Sequence, residues 1–308
     1  MAVAVVEADQ TFGPTEWAMS VLVALIWGSS FLWIAIAIDH VAVTVVPLAR
    51  CAFGAAALGC VRSARRPIER EDRPRFVFLG LCWMAVPFLL YPLAERTVNT
   101  SITGMLNGGL PIVTTVVTAM FTRTVPSGRR MLAVAVGGIG IVGISLSSIS
   151  GGSSGNHLGA DAGGIGLLLL ALVCYAVAAN VARPMQAKYG ALTTMLWIEV
   201  VAVVWSLPLG LRGLADSHMS WSAIGALLVL GGIGTGVAFA FYGVLLHRAG
   251  TVRGMIGIFF TPIVGTVLGV TFRDDELHPL TLIGMAVVIV GAVMTSRPEP
   301  RPASDLDL

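Results

Sequence analysis

Charge is scarce in this sequence. Only 12% of its 308 residues are Asp, Glu, Lys or Arg, about half the share carried by a soluble domain. Hydrophobic residues make up 56%, and the mean hydropathy is +0.86. That composition excludes a water-soluble globule and leaves lipid as the solvent that suits the surface. A formal charge of +2, with the arginines in short clusters between apolar runs, excludes nucleic acid as a partner. Metal-ligand spacing is missing as well: Cys51, Cys60, Cys82 and Cys174 all fall inside apolar runs without paired spacing and read as inert packing residues. No GxxxxGK[ST] phosphate loop occurs, so neither ATP nor an organic cofactor is expected. No apolar run contains an Asp, and no Ser-rich stretch has a His in a matching run. This removes the aspartate pair, or the nucleophile with its base, that an intramembrane enzyme needs. No catalytic residue and no metal site are therefore expected. The first sixteen residues hold no Lys or Arg, and the run that follows is too long for the apolar part of a signal peptide, so it reads as a retained first span.

Long apolar runs are abundant. About 20 residues are needed to cross roughly 30 Å of hydrocarbon as a helix. Ten runs come close: Trp17–Ile38, Val41–Val61, Phe76–Leu93, Val98–Phe121, Met131–Ser148, Gly163–Val181, Leu192–Leu211, Trp221–Leu246, Val252–Phe272 and Leu280–Thr295. Alternate connections share their basic residues very unequally, 15 in one set against 3 in the other, with Arg50 inside a run. By the positive-inside rule the rich set and both termini are cytoplasmic. The expected fold is an all-α integral membrane protein with ten transmembrane helices.

The chain also repeats itself. Setting Pro111 against Pro262 aligns PIVTTVVTAMF with PIVGTVLGVTF, identical at 6 of 11 positions. The same offset matches Ala135/Ala286, Val136/Val287, Gly140/Gly291 and Val142/Val293. The predicted organisation is a five-helix repeat over 17–148, a flexible external Gly/Ser linker over 149–160, a second five-helix repeat over 161–296 and a cytoplasmic tail over 297–308. Five is odd, so the second copy enters the membrane from the other side. Two inverted five-helix repeats are a transporter architecture, because each half can open a shared midplane site to one side. A duplicated scaffold without transport is the alternative, and a fixed channel suits two matched halves less well.

Several segments resemble the EamA-type branch of the drug/metabolite transporter superfamily. They are IWGSSFLWIA at 26–35, LPIVTTVVTAMF closing the fourth run, LLHRAGTVRGMIGIFFTPIVGTVLGVTF at 245–272, and the acidic turn DDELHPLTLIG after it. Order and spacing across ten runs carry the likeness, since each motif is short and apolar. The first-half turn TRTVPSGRR departs from the pattern, with Val125 where the second half has Glu276. The resemblance implies a secondary-active exporter of amino acids, metabolites or drugs in the plasma (inner) membrane. Spans one to four and six to nine would surround a central cavity, with five and ten outside as support.

Polar residues inside the runs mark the candidate solute site. Asn99, Thr103, Asn107, Thr114 and Thr118 step by 4, 4, 7 and 4, which sets them on one helix face; such a face lines a cavity or bonds neighbouring helices. Pro111 and Pro262 lack an N–H, so the carbonyls of Asn107 and Ile258 lose their intrahelical donors. Broken helices at matching positions of two halves point to a binding site. Trp27, Phe31, Trp83, Tyr91, Tyr175, Phe239 and Tyr242 supply rings for an apolar or cationic solute, or pack as core. Arg50 and Glu199 lie eight to ten residues into their runs. An isolated charge there costs at least about 2.5–3.5 kcal/mol, so three roles are open: a structural ion pair, a contact to substrate charge, or Glu199 as carrier of a coupling proton. Glu95 and Arg96 are expected to pair at the outer surface, and His247 with Arg248 to mark a cytoplasmic end.

Topology reporters test this reading. Fusions after Arg66, after Arg130 and at the C-terminus are expected to report cytoplasmic, and one within Gly151–Asn156 external. An external signal at Arg66 would overturn both the orientation and the inversion.

Overall fold

The computed structural model describes residues 13–152, 160–242, 244, 245, 248 and 256–296. The centre of the Gly/Ser linker, His247, Arg253 and the tail from 297 onward lie outside the described residues. Helices stand at all ten apolar runs, and the described residues contain no strand. They are α1 (Pro14–Ile38), α2 (Val45–Gly59), α3 (Arg70–Ala94), α4 (Thr100–Asn107), α5 (Leu110–Thr122), α6 (Gly128–Ile149), α7 (Ala162–Tyr189), α8 (Ala191–Ala215), α9 (Trp221–Tyr242), α10 (Gly257–Arg273) and α11 (Pro279–Thr295). Six of them, α1, α3, α6, α7, α8 and α9, are each long and apolar enough to cross a membrane. The pair α4 and α5, bent by 40°, makes a seventh, and α2, α10 and α11 are shorter apolar helices.

Local chemistry sets the ends. Pro14 occupies the first turn of α1, where its missing N–H is no loss, and the Glu16 carboxylate accepts from Gly13 N at 3.1 Å. Ser220 caps α9 by accepting Ala223 N at 3.2 Å. Gly190, at φ +80°, lets α7 turn directly into α8. The second expected run begins four residues late, because Val41–Thr44 form a turn held by Ala42 N donating to Ser217 Oγ at 2.9 Å.

The principal helix contacts join the two halves rather than lying within one. Equivalent helices pack on each other: α2 on α8, α4 on α10, and α6 on α11. In each pair the chains run antiparallel. Along α6 and α11, a Cβ on Gly137 or Gly291 would meet the other residue's backbone, one on Gly140 would meet Val288, and one on Gly284 would meet Ile144. An offset of 151 turns the contact 137–291 into 288–140, so the pair obeys a two-fold exchange. The same holds between the second and third spans: Gly80 abuts Val201, and Gly231 abuts Arg50, again 151 apart. Both third spans carry a wide π turn, at Gly80–Ala85 and Val229–Val237. Arg123 and Asp274, also 151 apart, end α5 and α10 in the left-handed conformation, the two non-glycine residues with positive φ among those described.

α6 and α11 present Ile139, Val142, Leu146, Ile283 and Val290 outward, the surface expected of supporting spans in lipid. Their seam is tight. An alanine Cβ at Gly291 would sit 2.5 Å from Gly137 Cα, whereas at Gly138 it would meet nothing within 4 Å. Gly291→Ala is therefore expected to destabilise by about 1–3 kcal/mol through overpacking, read as a lower thermal midpoint in detergent, while Gly138→Ala leaves the midpoint unchanged or higher. Equal midpoints would contradict this packing.

Candidate functional site

The fourth span breaks where the sequence places glycine before proline. Asn99 Oδ1 accepts Ile102 N at 2.9 Å and starts α4. Its polypeptide then tightens through Gly108 N to Met105 O (3.1 Å) and Gly109 N to Leu106 O (2.9 Å), and α5 restarts with Pro111 in its first turn. α10 is built alike: a tight turn over Ile256–Phe260 precedes Thr261, with Pro262 in the first turn of the α-helix. The two breaks cross. A Cβ on Gly108 would lie 2.5 Å from Pro262 Cγ, Gly104 faces Gly265, and Ser101 Oγ donates to the Thr266 carbonyl at 3.2 Å. Irregular backbone at membrane depth is tolerated where protein surrounds it, and here each break covers the other.

Rings fill the space beside this crossing. Phe31 lies 5.8 Å from Tyr91, which stacks at 6.0 Å on Tyr175, and Tyr91 Oη donates to Asn107 Oδ1 at 2.6 Å. This joins the third span to the break in the fourth. A second group sets Trp27 5.0 Å from Tyr242 and 5.5 Å from Phe239, with Trp27 Nε1 donating to Gly234 O in the π turn of α9. An apolar groove of about 560 Å³ is lined by Leu25, Ile26, Trp33, Ile233 and Val264.

Two residues of the polar stripe have structural duties. Asn99 is a helix cap, and Thr103 is fully buried with its hydroxyl returned to the Asn99 carbonyl at 3.0 Å. Thr118 donates to Asn180 Oδ1 of α7 at 3.0 Å. Trp83 packs half-buried against the inner core with Phe239. Pro111 and Pro262 act as helix starts at the crossing, and Asn107 is held by Tyr91.

Arg50 and Glu199 do not form an ion pair, and the structural offset sets Arg50 against Val201 rather than against Glu199. Arg50 is 8% exposed. Its guanidinium carbon lies 3.8 Å from the centre of the Phe88 ring, and Nε reaches Thr235 Oγ1 at a long 3.4 Å. Both Nη groups have no partner among the described residues. Glu199 is 0% exposed, with its carboxyl carbon beside Gly54 and its carboxyl facing the Cys51 thiol, too poorly aligned for a hydrogen bond. Phe88 and Thr235 were not foreseen from the sequence. Phe88 does fall three residues before Tyr91, on the same helix face.

Ion pairs tie the halves together at both ends. At one end Arg273 grips both oxygens of Asp39, at 2.6 and 3.1 Å. At the other, Arg248 meets Glu16 at 2.8 Å, while Lys188 meets Glu69 at 2.5 Å and Asp72 at 2.7 Å; Tyr189 Oη also donates to Asp72. Exposed pairs contribute only about 0–1 kcal/mol each, and Arg273 and Asp39 are 33% and 43% exposed. Such latches are easily parted.

Glu95 does not pair with Arg96. Its two oxygens are buried without a partner among the described residues, and the charges acting on it are Asp275, Arg273 and Arg50. Burial first, then the neighbouring Asp275, push its carboxyl well above the usual range. Asp275 is also pushed up by burial, opposed by its bond from Ser101 N at 2.7 Å. A carboxyl raised in the folded state stabilises it below the unfolded value, about 4.3 for Glu, and loses that contribution as pH rises through the folded value. The wild-type thermal midpoint is thus expected to rise between pH 8 and pH 5, and Glu95→Gln to flatten that slope and lift the pH 8 midpoint by several degrees. An unaltered slope in Glu95→Gln would refute the assignment.

Comparison with known proteins matches this geometry. Residues 16–146 and 162–297 each match the EamA-like transporter family. A probable terminal-alkyne amino-acid exporter of Streptantibioticus cattleyicolor is 24% identical over 289 residues, 91% of this chain and 93% of that protein. An uncharacterized transporter of Archaeoglobus fulgidus is 21% identical over 286 residues, 92% and 99% of the two chains. A crystal structure aligns with a TM-score of 0.61 at 16% identity, covering 91% of this chain and 97% of that one, which shows the shared fold alone. With both halves matched over nearly their whole length, the chain belongs to the EamA-like transporter family.

Proposed function

We propose that this chain is a secondary-active exporter of a small organic solute, working by alternating access in the plasma (inner) membrane with both termini cytoplasmic. Its ten helical segments act as ten spans in two inverted repeats, 17–148 and 161–296, joined by an external linker over 149–160. The observation that carries the reading is the antiparallel packing of three equivalent pairs, α2 on α8, α4 on α10 and α6 on α11, with the contacts of α6 on α11 and those of Gly80 and Gly231 repeated at an offset of 151. A structure that exchanges its halves in this way has two related arrangements available, one open to each side. The export direction takes its support from the named exporter among the relatives. Trp27, Tyr242, Arg50, Tyr91, Asn107 and Tyr175 border the central path, and the contacts Asp39–Arg273 and Glu16–Arg248 close its two ends.

Cross-linking tests the cycle. With Cys51, Cys60, Cys82 and Cys174 replaced, Asp39→Cys/Arg273→Cys joined by a short bifunctional thiol reagent is expected to abolish counterflow of labelled amino acids and dyes in liposomes. Either single cysteine treated alike is expected to leave it intact. Full counterflow in the cross-linked protein would rule out opening at that mouth.

A further inference from the structure

Arg50 is a buried cation whose bonding capacity the fold leaves unused. The ring of Phe88 covers one face of the guanidinium, and Thr235 takes only Nε, at the limit of a hydrogen bond. The two Nη groups, which form the fork that matches a carboxylate edge, have no partner among the described residues. Three protein acids were available. Glu199 forms no ion pair with Arg50; its carboxyl carbon sits beside Gly54, and the carboxyl faces the Cys51 thiol. Glu95 makes no bond to Arg50, and Asp275 is engaged by Ser101 N. A buried charge persists at such depth with a partner or beside water, and no protein group supplies that partner.

The surroundings describe what would. Tyr91, on the same face of α3 as Phe88, stacks on Tyr175. The Tyr91 hydroxyl is committed to Asn107, whereas that of Tyr175 has no hydrogen-bond partner among the described residues. One cation, one free hydroxyl and a wall of rings, Phe31, Phe88, Tyr91 and Tyr175, suit a single negative charge on an apolar body. A phosphate, with its second charge, would ask for further cations, and an organic cation would be repelled by Arg50.

We propose that the central site takes a monocarboxylate solute, its carboxylate docked edge-on to the Nη groups of Arg50 and its apolar part against the Phe31–Tyr91–Tyr175 rings. The inference rests on the transport reading above. It goes beyond that reading by fixing the sign of the substrate's charge and the residue that receives it.

Counterflow in liposomes with the full-length chain separates the possibilities. Three labelled panels are compared: neutral amino acids and short monocarboxylic acids, their primary amides, and cationic dyes. The wild type is expected to exchange acids at least about tenfold faster than the matching amides, as loss of a charged hydrogen bond implies. Arg50→Gln is expected to lower acid exchange about ten- to a hundredfold, and Arg50→Lys to retain part of it, since the charge stays and the fork is lost. The wild-type comparison of acids with amides needs no variant and stands even if Arg50→Gln fails to fold. Equal exchange of acids and amides, or wild-type acid exchange by a well-folded Arg50→Gln protein, overturns the proposal. Exchange confined to cationic dyes overturns it while leaving transport in place, and no exchange in any panel removes the transport reading as well.

Discussion

Hydrocarbon offers no partner to a backbone amide, and this constraint governs the whole molecule. Each peptide group must bond within its own helix or be enclosed by protein. The two places where a helix breaks, before Pro111 and before Pro262, therefore cannot face lipid. They are brought against each other at Gly108, Gly104 and Gly265, where small residues let the backbones approach. The rings of the first, third and sixth spans pack beside the crossing, with Phe31 against Gly104 and Gly265.

Much of the architecture was legible because the pattern that encodes it is long. Ten apolar runs and a repeated proline-led segment survive any local error, and the offset read from Pro111 and Pro262 relates the contacts of α6 with α11 and those of Gly80 and Gly231. Boundaries were less secure, as at Val41–Thr44, where hydrophobicity continues through a turn that Ser217 holds from a remote span. The polar stripe is interrupted for a definite reason. Its spacing argument assumes one continuous helix, but Asn99 lies before α4 begins and Gly108–Gly109 interrupt the register, so Thr118 faces α7 rather than continuing the line.

The charged residues taught a similar lesson. Glu95 and Arg96 are adjacent in sequence, but successive helical positions point apart, so proximity along the chain did not make a pair. Arg50 and Glu199 were recognisable as charges at mid-depth. What surrounds them was not, because Phe88 and Thr235 arrive from the third and eighth spans. Sequence shows where a charge is expensive; only tertiary contacts show how that expense is met.

The left-handed caps at Arg123 and Asp274 have a further consequence. The two copies kept the same strained turn at the same offset, yet the residues that follow have diverged: Asp275 reaches across to Ser101 at the start of α4, while Thr124 bonds only locally with Thr122. Two halves with a common backbone and unlike chemistry are related by a two-fold rotation in shape but are not equivalent in energy. On the alternating-access reading proposed above, that inequality gives the inward-open and outward-open forms unequal resting populations, a bias set by one turn rather than by the solute.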